Sequence, residues 1–396
     1  MLDAACRIVG AEGLAGLTLR PLAEMLGVSV TVLTKHYGAR AEVLAAICSA
    51  ARDRDAQLFA RWRTLLADLG ALPPSTAADL AETMLDDLAT GQRAVSVLYL
   101  EMLHACTWDA PLRPAFAAWA EERCRFWHEF GQRAAMPSVL LECAWWHGYV
   151  VAELAYSLVL NTQPSYRMLR RLCLQRLFAG GAAAAPDAMD STVFAWLLGQ
   201  MQYAPDGLAA WRGAESSSAW PALAARACGM RLAAQGVSGL THRAVAAEIG
   251  VPHTTLSYRF PTQRDLVIAG LESIIEHTLS AVEAGSLEEV QRLRTQDDGK
   301  KLDLARANFA VAIAATRMPE LAPYTASMRS RRGNNLGKVF EKYMPDARGI
   351  DALCAQVVSM GLTGVTNLEP PGEASEASVA SAFTAAATWL RQGAAA

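Results

Sequence analysis

The sequence predicts an all-α protein built from two similar halves, and three observations lead there. Hydrophobic residues make up 52% of the 396 positions and charged ones only 19%, which supplies material for large cores and argues against bulk disorder. Apolar residues recur at helical spacing along the chain, while alternating β-branched runs are almost absent. A stretch near the start returns 223 positions later without a gap.

That repeat aligns residues 11–44 with 234–267. Eleven of the 34 positions are identical: Ala11, Gly13, Gly16, Leu17, Thr18, Arg20, Ala23, Gly27, Val28, Thr31 and Leu33. Chance at ordinary residue frequencies gives roughly two or three. Within the first copy, Leu2, Ala5, Cys6 and Val9 share one face of a helix over 2–12, and Gly13 stops it. Thr18 is placed to cap a second helix over 19–26, with Pro21 tolerated in its first turn and Gly27 as a left-handed stop. Ser29 caps a third helix ending near Tyr37, and a longer fourth opens at Arg40. Two short helices joined by a Gly-Val-Ser turn make a helix-turn-helix. Ala23 is small enough for close approach, Val28 and Leu33 are expected on the inner face, and Val30, Thr31, Thr34 and Lys35 on the outer one.

The second copy repeats the layout. A leading helix covers 222–234, Gly236 ends it, Thr241 caps the next, and Gly250 makes the turn. The outer helix, 253–260, shows His253, Thr254, Ser257 and Tyr258. The organisation predicted is a head at 1–45, a helical body at 46–180, a linker at 181–220 with a helix over 191–203, a second head at 221–268 and a second body at 269–396. In each body two late helices suit a four-helix interface: 139–160 with 166–178, and 352–366 with 377–391.

Other functions find little support. The eight scattered cysteines include no C-x-x-C pair and read as reduced, buried small hydrophobes of a cytosolic protein. Asp3 and Arg7 interrupt any leader-like start. The most apolar stretch, 139–160, contains Glu142, His147 and Glu153, which argues for a core or interface helix over a membrane span. Glu101 and His104 match one half of a carboxylate-bridged metal site, but no second copy follows. With no phosphate loop, nucleophile elbow or Cys/His metal spacing, no enzyme, cofactor or metal is expected.

The motifs GLAGLTLRPLAEMLGVSVTVLTKHYGARAEVL and GVSGLTHRAVAAEIGVPHTTLSYRFPTQRDLV resemble the amino-terminal domain of the tetracycline-repressor (TetR) family, about 45 residues in each copy. The resemblance implies two TetR-like protomers in one chain, each a three-helix helix-turn-helix domain plus a helical ligand and dimerisation domain. It also implies that the third helix of each head reads the major groove of double-stranded DNA. It carries that role to Val30, Thr31, Thr34, Lys35 and His36, and to His253, Thr254, Thr255, Ser257, Tyr258 and Arg259. Thr31 and Thr254 suit base edges or thymine methyls, and Lys35 and Arg259 suit phosphate or guanine. Arg40 stands where the family places a phosphate-contacting Lys, and Tyr258 suits the sugar-phosphate backbone. Arg20 and Arg243 fit phosphate contact and a plain surface ion pair equally well.

Four residues depart from the family pattern: Thr34 and Ser257 replace a common Tyr, Pro252 replaces a capping Ser, and Gln263 replaces a basic residue. Head one, residues 1–50, carries four basic and four acidic residues, whereas residues 221–267 carry five Arg against Glu248 and Asp265. Head two is therefore expected to supply more of any salt-dependent affinity.

The implied protein is a cytoplasmic transcription regulator, a repressor by family habit, folded as an intramolecular pseudo-dimer and acting as a single chain. The unlike outer faces imply an operator with two unlike half-sites. An apolar or aromatic effector is expected in the first body, near Trp108, Trp119, Trp127, Trp145, Trp146 and Tyr149, although aromatics at helical spacing are more often core. The rival reading is a helical interaction or ligand-sensing protein in which one or both heads are inactive.

Overall fold

The computed structural model describes residues 1–180, 188–202, 220–283, 302–334, 336–343 and 350–394, and every regular element among them is a helix. Residues 181–187 and 203–219 of the predicted linker and part of the second body therefore lie outside the described residues, including Tyr203 at the end of the expected linker helix.

The first head forms as its punctuation dictates. Helix α1 (Leu2–Glu12) buries Ala4, Ala5, Cys6, Ile8 and Val9. α2 (Leu19–Leu26) buries Leu22 and Ala23, and its Thr18 cap makes no side-chain bond. Gly27 then adopts φ 69°, a left-handed turn that an L side chain would strain, and its amide bonds back to the last turn. Ser29 accepts the Val32 amide at 3.2 Å and opens α3 (Val30–Tyr37), which buries Leu33 alone. Val28, expected inside, is 38% exposed, whereas Val251, after the equivalent Gly250, is half-buried against the second core. α4 (Arg40–Asp68) follows.

The first body continues with α5 (Pro74–Ala89), α6 (Arg93–Ala105), α7 (Arg113–Arg133), α8 (Ser138–Glu142), α9 (Trp145–Leu160) and α10 (Pro164–Phe178). The single helix expected over 139–160 is two, because Ala144 takes the left-handed φ of 54° and ends α8. α11 (Ala188–Met201) packs on α10.

The second head comprises α12 (Trp220–Gln235), α13 (His242–Ile249), α14 (His253–Arg259) and α15 (Gln263–Glu283). Thr241 accepts the Ala244 amide at 3.2 Å, Gly250 repeats the left-handed turn at φ 71°, and Leu256 is the one buried residue of α14. Here α12 and α15 run backbone to backbone, since a Cβ on Gly270 would stand 3.0 Å from the Cys228 carbonyl carbon. The matching positions in head one are Ala5 and Ile47, so the glycine that permits this approach has no counterpart on α4. The described part of the second body is α16 (Leu304–Ala315), α17 (Ala322–Ser330), α18 (Leu336–Tyr343), α19 (Ala352–Leu368) and α20 (Glu373–Ala394).

Buried apolar side chains gather into two clusters. One joins the first head and body to α19 and α20, and the other joins the second head to α16. The halves thus share a core along α9 and α19. Gly148 lies against the backbone of Val365, Gly364 against Gly148, and Gly361 against the Trp145 ring. Buried charge pairs fasten the same seam: Arg329 with Glu153 at 3.0 Å, and Arg176 with Asp351 at 3.0 Å. Arg332 adds a bond to the Tyr156 hydroxyl at 2.8 Å.

Candidate nucleic-acid interface

α3 and α14 sit at the same register of the two heads and turn their side chains outward. On α3, Val30, Thr31, Lys35 and His36 are exposed and Thr34 is half-buried. The His36 ring stands edge-on to Tyr37, with centroids 4.5 Å apart. On α14, His253, Thr254, Thr255, Tyr258 and Arg259 are exposed and Ser257 is half-buried. Tyr258 is 91% exposed, with its ring projected into solvent. The Arg259 guanidinium stacks over Phe260 at 5.7 Å, which steadies its base and leaves its edge available.

The flanking cations differ between heads. Arg20 donates to Glu24 at 3.0 Å in an exposed i,i+4 pair, so its charge is partly answered within α2. Arg243 and Arg40 are exposed and make no ion pair among the described residues. Gln263, at the position matching Arg40, donates to the carbonyls of Val237 and Leu240 at 3.1 Å each and so ties α15 to its own head.

The six aromatic residues expected around an effector occupy two different environments. Trp119, Trp127, Trp145, Trp146 and Tyr149 are buried in a stacked aromatic core. Within it, Trp119 donates to Asp55 at 2.6 Å beside the buried Arg123–Asp55 pair, and Trp146 donates to the Trp127 carbonyl at 2.9 Å. Trp108 alone of the six lines a cavity of about 470 Å³ lying between the two heads. Sequence reading missed that cavity. Its walls come from four segments far apart in the chain, and the repeat at 223 was the one available signal that such segments would meet.

Glu101 and His104 are not placed as metal ligands. Glu101 accepts the Leu14 amide at 3.3 Å and pairs with Arg317 of the second half. Among the described residues no group of three or more His, Cys, Asp or Glu is placed to hold a metal, and no helix is long and apolar enough to cross a membrane. Burial raises the Cys6, Cys48, Cys106, Cys173, Cys228 and Cys354 thiols to about 11 or 12, which keeps them protonated.

Two buried histidines make stability depend on pH. Both ring nitrogens of His104, and Nε2 of His147, lack partners. Burial, with Arg306 adding repulsion, lowers His104 to about 3, and burial with Arg123 lowers His147 to about 4. Both are neutral when folded, while the unfolded chain binds their protons near pH 6.5. Stability contributed by the neutral rings is therefore present above about pH 6.5 and falls on acidification, by up to about 1.4 kcal/mol per pH unit for each ring, until the folded groups charge. The melting temperature is expected to drop between pH 7 and pH 5, and His147→Leu to make that drop shallower. An identical drop in the variant would show that His147 is not responsible.

No protein-family model matches this chain, and no curated protein matches it.

Proposed function

We propose that the chain is a sequence-specific DNA-binding transcription regulator of the TetR type, with both heads on one polypeptide. The carrying observation is the pair α3 and α14. Each buries a single leucine and presents threonine, a cation and exposed polar or aromatic side chains at matching register. Little else requires a short helix to be so open, and this display suits base edges and phosphates in a major groove. The glycine-lined seam between the halves supports a pseudo-dimer within one chain, and the unlike helix faces support an operator of two unlike half-sites. Repression, and release by a small effector, are part of the same reading.

One observation favours a second reading in which only head two engages DNA. Head one has balanced charge, and its Arg20 already faces Glu24. A mobility-shift assay on the gene's own upstream region separates the two. Lys35→Ala and Tyr258→Ala are each expected to weaken the complex by roughly 5- to 100-fold, the ordinary worth of one specific contact. An effect of Tyr258→Ala alone would assign binding to head two. Failure of the unaltered protein to retain the fragment over non-specific competitor would refute the proposal.

A further inference from the structure

The cavity between the heads has the build of a ligand site. Its sides repeat at the 223-residue spacing, Gly13 matched by Gly236 and Arg40 by Gln263, so it lies where the two heads meet. Its floor comes from both halves: His104 and Trp108 at the end of α6, and Ile313 and Arg317 at the end of α16. The volume falls in the range of small-molecule pockets.

The polar groups narrow the chemistry. His104 is only 3% exposed, lines the floor and leaves both ring nitrogens without partners, so one donor and one acceptor stay unmet. Trp108 stands edge-on to it, centroids 4.7 Å apart, and with Ile313 it offers a surface for a flat ring. Three of the lining charges are already answered, since Arg317 pairs with Glu101, and Arg264 with Glu320 at 2.6 Å. Arg40, Asp109 and, at the rim on the last residue of α1, Glu12 also line the cavity and have no ion-pair partner among the described residues. A simple anion would meet Asp109 and Glu12, and a simple cation would meet Arg40, whereas a molecule carrying both charges satisfies both signs.

We propose that this cavity binds a small aromatic zwitterion of amino-acid type, ring on the Trp108 floor and opposite charges toward Arg40 and Asp109, and that occupancy withdraws Arg40 from DNA. The second clause rests on the function proposed above; the first does not. Ligand and phosphate would compete for one guanidinium, and the bound ring would fix the spacing of the heads.

Calorimetry on the full chain tests the site without DNA. L-phenylalanine or L-tryptophan is expected to bind saturably at one per chain, with phenylacetate and phenethylamine, each lacking one charge, at least ten-fold weaker. Ser238→Trp, at an exposed position that fills the cavity, is expected to abolish binding, and Arg40→Gln to weaken it at least ten-fold. Absence of saturable heat from both amino acids, equal binding of phenylacetate, or unchanged binding to Ser238→Trp would overturn the site. In the mobility-shift assay the amino acid is expected to release DNA from the unaltered protein but not from Ser238→Trp, and release from both would overturn the coupling.

Discussion

Glu153→Ala is expected to cost about 3–5 kcal/mol of folding stability, the range for stranding one partner of a buried ion pair. Glu153 on α9 and Arg329 on α17 are both wholly buried and meet at 3.0 Å. The carboxylate also accepts the Tyr166 hydroxyl at 2.8 Å, and the guanidinium donates to Gln356. Burial, the largest single influence, pushes Arg329 toward losing its proton, but Glu153, then Cys173 and two tyrosines, together outweigh it and hold Arg329 well above its ordinary value. Removing the acid leaves a cation with no water and no counter-charge. The double variant Glu153→Leu with Arg329→Met strands nothing and is expected to recover most of the loss, because apolar replacements of similar volume often match a buried pair. Thermal and urea unfolding of the single and double variants check this. A single variant that unfolds like the parent would show that the pair does not fasten the halves.

Gly364→Ala is expected to be nearly as damaging, about 3 kcal/mol or more. A methyl group there would overlap the Gly148 carbonyl, so the obstacle is backbone and cannot rotate away. Overpacking by a methylene elsewhere costs about 1–3 kcal/mol, and here α9 and α19 would have to separate along their length. The control is Gly10→Ala in α1, where nothing lies within 4 Å of the added methyl. That change is expected to be neutral or to stabilise by about 0.5–1 kcal/mol through helix propensity. Paired melting curves decide it, and equal behaviour of the two alanines would contradict the close crossing.

Neither feature could be read from the chain alone, whereas the heads largely could. Helix starts and stops in the heads are written locally: Gly13, Gly27, Ser29, Thr241 and Gly250 each act on the next few residues, and α1 to α3 begin and end where those signals fall. Val28 escaped because it lies in the turn between two helices, where helical periodicity does not set which way a side chain faces. The break at Ala144 escaped because 139–160 is apolar on both sides of it, so no change of pattern marks the end of α8. Glu153 and Glu142 looked alike as charges in an apolar run; that one meets an arginine 176 positions away follows only from packing. The aromatic cluster was legible as a group, yet its division between a filled core and Trp108 at the cavity depends on which helices cross there.

The crossing of α9 and α19 joins two surfaces of one molecule. Dilution cannot part them, because tethering holds the local concentration of each face for the other far above what separate subunits reach in a cell. Under the function proposed above, both heads would arrive together at a target even when a cell holds a single copy, and occupancy would rise in simple proportion to the number of molecules, with no threshold set by assembly.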